Sequence, residues 1–158
     1  MAGIPYVAVV GPGDASAQED EAAEAVGLGL AQAGATVVCG GLGGVMAAAC
    51  RGAAGAGGVS LGILPGSDRG AANEWVSVAI PTGLGELRNA LVVRCADAVI
   101  AVGGAYGTLS EIALALKTGV PVVGIGTWSV EGIEPVESAP DAVKLALELA
   151  RARVGSDS

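Results

Sequence analysis

Histidine is absent from the 158 residues. Its absence removes Ser-His-Asp and Cys-His catalysis, imidazole metal sites and histidine general-base chemistry in one step. Lysine occurs only at Lys117 and Lys144, both in helix-type patterns away from the glycine-rich turns, which argues against a Schiff-base lysine. Cysteine is scarce and odd in number. Cys39, Cys50 and Cys95 fit no zinc spacing and no disulfide framework, so buried structural thiols are expected. Charged residues make up only 15% of the chain against 52% hydrophobic. A surface so poor in charge calls for cover, and a homodimer or larger homo-oligomer is expected. The net charge of −8 argues against nucleic acid as a partner. No apolar run is long enough to span a bilayer, and no basic segment precedes a signal-type core. A cytoplasmic protein with no membrane association is the expectation. Any chemistry is left to carboxylates, Arg, Tyr and backbone dipoles.

Glycine, by contrast, is abundant, and it punctuates a regular alternation. Short apolar runs of strand type lie at 4–10, 36–39, 60–64, 75–80, 97–102 and 120–125. Helical patterns fill 17–33, 45–56, 84–94, 112–117 and 142–153, leaving 128–138 as loop. Asp14 or Ser16 can cap the first helix, and Ala22, Val26, Leu28 and Leu30 are expected to face the sheet. The alternation predicts one α/β domain over residues 1–158: a Rossmann-like, doubly wound, mainly parallel sheet with helices on both faces.

Parallel sheets bind ligands beyond the carboxyl ends of their strands, and the unusual residues of this chain collect there. Gly103, Gly104 and Gly107 lie between a strand end and a helix start. Glycine permits positive φ and close ligand approach, and the unpaired N–H groups of a helix start favour an anion, above all phosphate. Thr108 can cap this helix or donate its hydroxyl to the anion, Tyr106 sits within the turn, and Glu111 lies about one turn further in. A second turn holds Gly40, Gly41, Gly43 and Gly44, with Met46 behind it. Gly11 ends the first strand, and Thr82 and Gly83 follow the fourth. Arg88 supplies a planar fork suited to phosphate or a purine edge, with Asn89 beside it. These residues are expected to line one cleft for a phosphorylated small molecule, with Arg88 and Glu111 facing each other. A standard NAD site is disfavoured, since the first turn lacks G-x-G-x-x-G and no acidic residue follows the second strand. A Walker loop is absent for want of Gly-Lys-Ser/Thr.

The run from Gly103 to Glu111 resembles the P-G-G-x-G-T-x-x-E motif of the LOG family, and Gly40 to Met46 resembles its G-G-x-x-G-x-M motif. That family comprises Rossmann-like nucleoside 5′-monophosphate phosphoribohydrolases once labelled lysine decarboxylases. The resemblance runs from Val7 to about Ile125 and implies that Arg88 and Glu111 are the functional, catalytic pair. Gly103 stands in place of the motif's Pro, Ala105 in place of its second Gly, and Asn89 in place of the usual Lys. In these departures the chain is similar to a shorter sister group that includes molybdenum cofactor carrier proteins. Two functions follow from the resemblance. One is hydrolysis of the N-glycosidic bond of a nucleoside 5′-monophosphate, with Glu111 stabilising the oxocarbenium-like sugar. The other is non-catalytic carriage of a phosphorylated cofactor such as the molybdenum cofactor. A phosphate-binding domain that regulates a partner is a third, blander expectation. No cofactor or metal is required for the hydrolysis, and phosphate, an AMP-like nucleotide or the molybdenum cofactor are the expected ligands.

Overall fold

In the computed structural model, which describes residues 3–156, seven strands form one sheet in the order β4-β3-β2-β1-β5-β6-β7. These are β1 (Tyr6–Val10), β2 (Thr36–Cys39), β3 (Ser60–Leu64), β4 (Val78–Pro81), β5 (Ala98–Val102), β6 (Val122–Ile125) and β7 (Ile133–Pro135). Every pairing is parallel, so the sheet is wholly rather than mainly parallel. Five helices accompany them, the last following β7: α1 (Ala17–Gln32), α2 (Val45–Gly55), α3 (Arg88–Arg94), α4 (Tyr106–Lys117) and α5 (Ala139–Ser156). Alternate residues of a strand point to opposite faces. Val7 and Val9 of β1 therefore enter the layer under α1, α2 and α5, while Ala8 and Val10 enter the layer under α3 and α4. The chain winds outward from β1 to β4, returns to β5 on the other side of β1, and winds outward again. The switch point thus falls between β1 and β5, where a crevice opens beyond the strand ends.

Several elements differ from expectation for local reasons. Strand β7 lies in the segment read as loop; it is a three-residue edge strand with only partial burial and no apolar run to announce it. Strand β4 starts at Val78 rather than at residue 75. Trp75 instead leaves the sheet to stack over the Arg51 guanidinium, 5.4 Å from the ring centroid. The 84–94 segment divides into a 3-10 turn, Gly85–Leu87, and α3. Helix α5 is longer at both ends than expected. Helix α1 starts from a complete capping box, in which Ser16 accepts from the Glu19 N–H and Glu19 accepts from the Ser16 N–H.

The core face of α1 is also shifted. Ala23, Val26, Gly27 and Leu30 are buried, whereas Leu28 is exposed and Ala22 only half-buried. Helix α2 dictates this. A Cβ on Gly27 would run into the Ala49 carbonyl, and one on Gly52 into the Glu24 carbonyl. The two helices meet backbone to backbone at these glycines, and Arg51 closes the seam by donating to Asp20 at 2.5 Å and to Glu24 at 2.7 Å. Glycine inside a helix costs about 1 kcal/mol relative to alanine. Close packing offsets that here and fixes where the start of α2 meets the crevice. Among the described residues no helix is long and apolar enough to cross a membrane.

Candidate phosphate-binding site

Gly11 ends β1 where three elements converge: an added Cβ would strike the Val102 carbonyl at the end of β5 and the side chain of Val45 at the start of α2. Gly103 follows β5 with φ +68°, a conformation closed to proline, and its Cα side lies against the Glu19 carboxylate. The replacement of the motif's proline is therefore a matter of backbone geometry. Helix α4 begins three residues later, with Ala105 as N-cap and no side-chain cap. Its first N–H bond within the helix is Leu109 to the Ala105 carbonyl, 3.0 Å, so the amides of Tyr106, Gly107 and Thr108 precede the helix ladder. Thr108 lies inside the first turn, buried, and does not cap the helix. Its Oγ1 is buried and has no hydrogen-bond partner among the described residues. Gly107 differs from expectation too: its φ is not positive, and an added Cβ would meet nothing within 4 Å. It keeps space open above the turn rather than permitting the turn.

The second glycine turn has another role. Gly41 and Gly44 take φ of +78° and +61°. One of the turn's amides is already used, and so is the first of α2: the Gly41 N–H donates to Cys39 Sγ at 3.3 Å, and the Val45 N–H to the Pro12 carbonyl at 3.0 Å. Gly40 instead makes room for Arg88. A Cβ there would stand 2.7 Å from Arg88 Nη2 and 2.7 Å from Met46 Sδ. This turn is the floor on which the guanidinium lies, with Gly43 close to the Gly13 carbonyl at its edge.

Arg88 opens α3, donates through Nη1 to Asn89 Oδ1, and keeps a buried Nε with no partner among the described residues. Asn89 Nδ2 donates to Ser110 Oγ at 3.3 Å, and Ser110 Oγ donates to the Gly107 carbonyl at 2.7 Å. This chain ties α3 to the first turns of α4. Burial pushes the Glu111 carboxyl up to about 7, and the Arg88 charge only partly opposes it. No ion pair joins the two: those among the described residues are Arg51 with Asp20 and Glu24, and Arg153 with Asp97. Arg88 and Glu111 are electrostatic neighbours with no ion pair between them. Thr82 is committed elsewhere, donating to the Leu64 carbonyl at 2.7 Å and accepting from the Leu84 N–H at 3.2 Å. It shapes the loop in which Gly83 takes φ +67° and does not offer its hydroxyl proton to a ligand.

Two of the three thiols are buried, as expected; Cys95 is exposed at the end of α3, one residue before the buried Ala96. Cys39 and Cys50 lie 3.4 Å apart, and this hydrogen bond and burial hold the Cys39 thiol well above its usual range. Sequence reasoning missed Trp128. It follows β6, donates from Nε1 to the Ala105 carbonyl at 3.1 Å, and lies against Tyr106 with ring centroids 6.0 Å apart. A tryptophan just beyond a strand's carboxyl end was the one available signal. A cavity of about 600 Å³ opens between α3 and α4, beside Arg88, Asn89, Tyr106 and Gly107.

This architecture defines a Rossmann-like domain whose glycine turns, Arg88 and α4 start meet at the sheet's switch point. The chain belongs to the SLOG cluster4 family, whose model matches residues 4–152. It is 38% identical over 141 residues to an uncharacterized protein of Archaeoglobus fulgidus, covering 89% of this chain and 93% of that one. The molybdenum cofactor binding protein of Rippkaea orientalis superposes with a TM-score of 0.88 at 32% identity, over 94% of this chain and 99% of that one. The molybdenum cofactor carrier protein of Chlamydomonas reinhardtii superposes with a TM-score of 0.83 at 30% identity, over 92% and 98%.

Proposed function

We propose that this protein binds and carries a phosphorylated cofactor of the molybdenum cofactor kind, without cleaving it. The observation that carries this reading is the pair of buried, unpartnered donors, Arg88 Nε and Thr108 Oγ1, beside the open first turn of α4. Buried polar groups are ordinarily satisfied, so an orphaned pair at a helix start fits a ligand that supplies acceptor oxygens. The likeness to carrier proteins over nearly the full length of both chains supports the same reading. In this reading the amides of residues 106–108 and the Thr108 hydroxyl donate to the phosphate. Arg88, seated on Gly40 and steered by Asn89, adds charge.

The alternative is hydrolysis of a nucleoside 5′-monophosphate, with Glu111 stabilising the sugar cation. Stabilisation of that kind needs an ionised carboxylate. A carboxyl pushed up to about 7 is only about half ionised at neutral pH, and a bound phosphate nearby would push it further up. That favours carriage over cleavage. Incubation with AMP, GMP, CMP and UMP, assayed for free base, decides between them. Release of base by the wild type but not by Glu111→Gln would replace the carrier with the hydrolase.

The carrier is further proposed to be a cytoplasmic homo-oligomer that binds neither nucleic acid nor membrane. The apolar side chains Val78, Ile80 and Leu84, exposed on the edge strand and the loop after it, support the oligomer.

A further inference from the structure

We propose that the cavity between α3 and α4 is a subsite for a flat heteroaromatic ring carried by the phosphorylated ligand. Tyr106 is its stacking wall, and Trp128 is the positioning residue that holds Tyr106. The inference rests on the phosphate reading above and extends it to the non-phosphate part of the ligand. Tyr106 is the first residue of α4, so a ring on its face lies next to the helix amides expected to hold phosphate. Its side chain is 84% exposed, unusual for a tyrosine with no solvent-side role, and it lines the cavity. The cavity measures about 600 Å³, within the range of small-molecule sites. Its walls suit a ring: Leu87, Ala90 and Leu114 are apolar, while the polar groups of Asn89 and Ser110 are paired with Arg88, each other and the Gly107 carbonyl.

Trp128 does not line that cavity. It bears on Tyr106 from outside, with the rings tilted by 32° and their centroids 6.0 Å apart, a favourable aromatic geometry. Its Nε1 is tied to the Ala105 carbonyl, the N-cap of the helix that carries Tyr106. Gly104 permits this seat, because a Cβ there would stand 3.0 Å from Nε1. One indole thus fixes both the tyrosine ring and the turn that opens the anion site. Both pterins and nucleobases offer the required flat face, so the ring's source is left to the test.

The experiment uses the full chain with Trp75→Phe, which leaves Trp128 as the sole tryptophan. Inorganic phosphate, ribose 5-phosphate, AMP and a pterin monophosphate are titrated, with Trp128 fluorescence and calorimetry as readouts. At least one ring ligand is expected to bind about tenfold or more tighter than ribose 5-phosphate, since stacking on an aromatic side chain is typically worth that much. Its binding should change Trp128 emission, and the tighter of the two identifies the ring. Tyr106→Ala should abolish the preference while keeping phosphate affinity, Trp128→Ala should abolish it and also weaken phosphate binding, and Tyr106→Phe should retain it within about twofold. Equal binding of ring ligands and ribose 5-phosphate by the wild type, or a preference that survives Tyr106→Ala, overturns the subsite and leaves the phosphate reading standing. Failure of every phosphate to bind the wild type overturns both.

Discussion

Replacing Gly40 by alanine should separate stability from function. Gly40 does not hold a positive φ, so alanine fits its backbone without strain. The new Cβ would stand 2.7 Å from Arg88 Nη2 and from Met46 Sδ, and ordinary contact begins near 3.4 Å. Each must retreat by about 0.7 Å. Both are far ends of flexible side chains, so the fold can yield, and the stability cost should stay below about 1 kcal/mol. The guanidinium, however, leaves the floor that in the proposed carrier aims it at the phosphate. Loss of a charge-assisted hydrogen bond costs about 1.5–3 kcal/mol, which is roughly a tenfold to a hundredfold loss of affinity. The assay pairs thermal unfolding with calorimetric titration of a phosphorylated ligand. An unchanged melting temperature with unchanged affinity would refute the reasoning, because it would mean that Arg88 does not act from its seat on Gly40. Loss of fold would refute the claim that the two side chains can yield.

Gly44→Ala should behave in the opposite way, losing about 3 kcal/mol or more of stability in urea unfolding, because a positive φ and the Pro12 carbonyl both exclude the Cβ. Gly107→Val should fold with near-wild-type stability yet block ligand binding in the same titrations, since its side chain would enter the open space above the α4 turn. Between about pH 4.5 and about pH 7 the folded chain keeps a proton on Glu111 that the unfolded chain has lost. Stability should therefore fall by about 3 kcal/mol as pH rises through that window. Glu111→Gln should flatten the pH dependence and be the more stable protein above pH 7; an equal slope in both would contradict the burial of this carboxyl. Ile80→Glu should reduce the oligomer to smaller species in light scattering while leaving the circular dichroism spectrum intact, and a wild type that already scatters as a monomer would remove the oligomer.

The overall architecture was legible because parallel α/β folds write themselves as apolar runs alternating with helical periodicity. Both glycine turns were equally plain, since each breaks a strand-to-helix junction. What distinguishes the turns was not legible. Composition makes Gly40 to Gly44 and Gly103 to Gly107 look like two similar anion cradles, but hydrogen bonding to Cys39 and Pro12 uses up one amide of the first and the first amide of α2. Its glycines also serve the packing of Arg88 and α2. Thr82 was expected to line the cleft, and a sequence cannot show that its hydroxyl is spent on Leu64. Leu28 looked like core because periodicity cannot foresee that Gly27 and Gly52 bring two helices into backbone contact and rotate the buried face. Trp128 escaped because its partner, Tyr106, is 22 residues away and meets it only through the pairing of β5 with β6. Strand β7 escaped because an edge strand of three residues needs no hydrophobic signature.

In the proposed carrier, Arg88 and Thr108 complete one phosphate site at the start of α4, and this site retains the molybdenum cofactor intact. Anaerobic equilibrium binding of the cofactor to the wild type, Arg88→Ala and Thr108→Val tests it most directly, with bound cofactor read as the fluorescence of its oxidised pterin. The wild type should retain intact cofactor, and each variant should lose about tenfold or more in affinity. A wild type that does not retain the cofactor, or variants that retain it as well as the wild type, would contradict it.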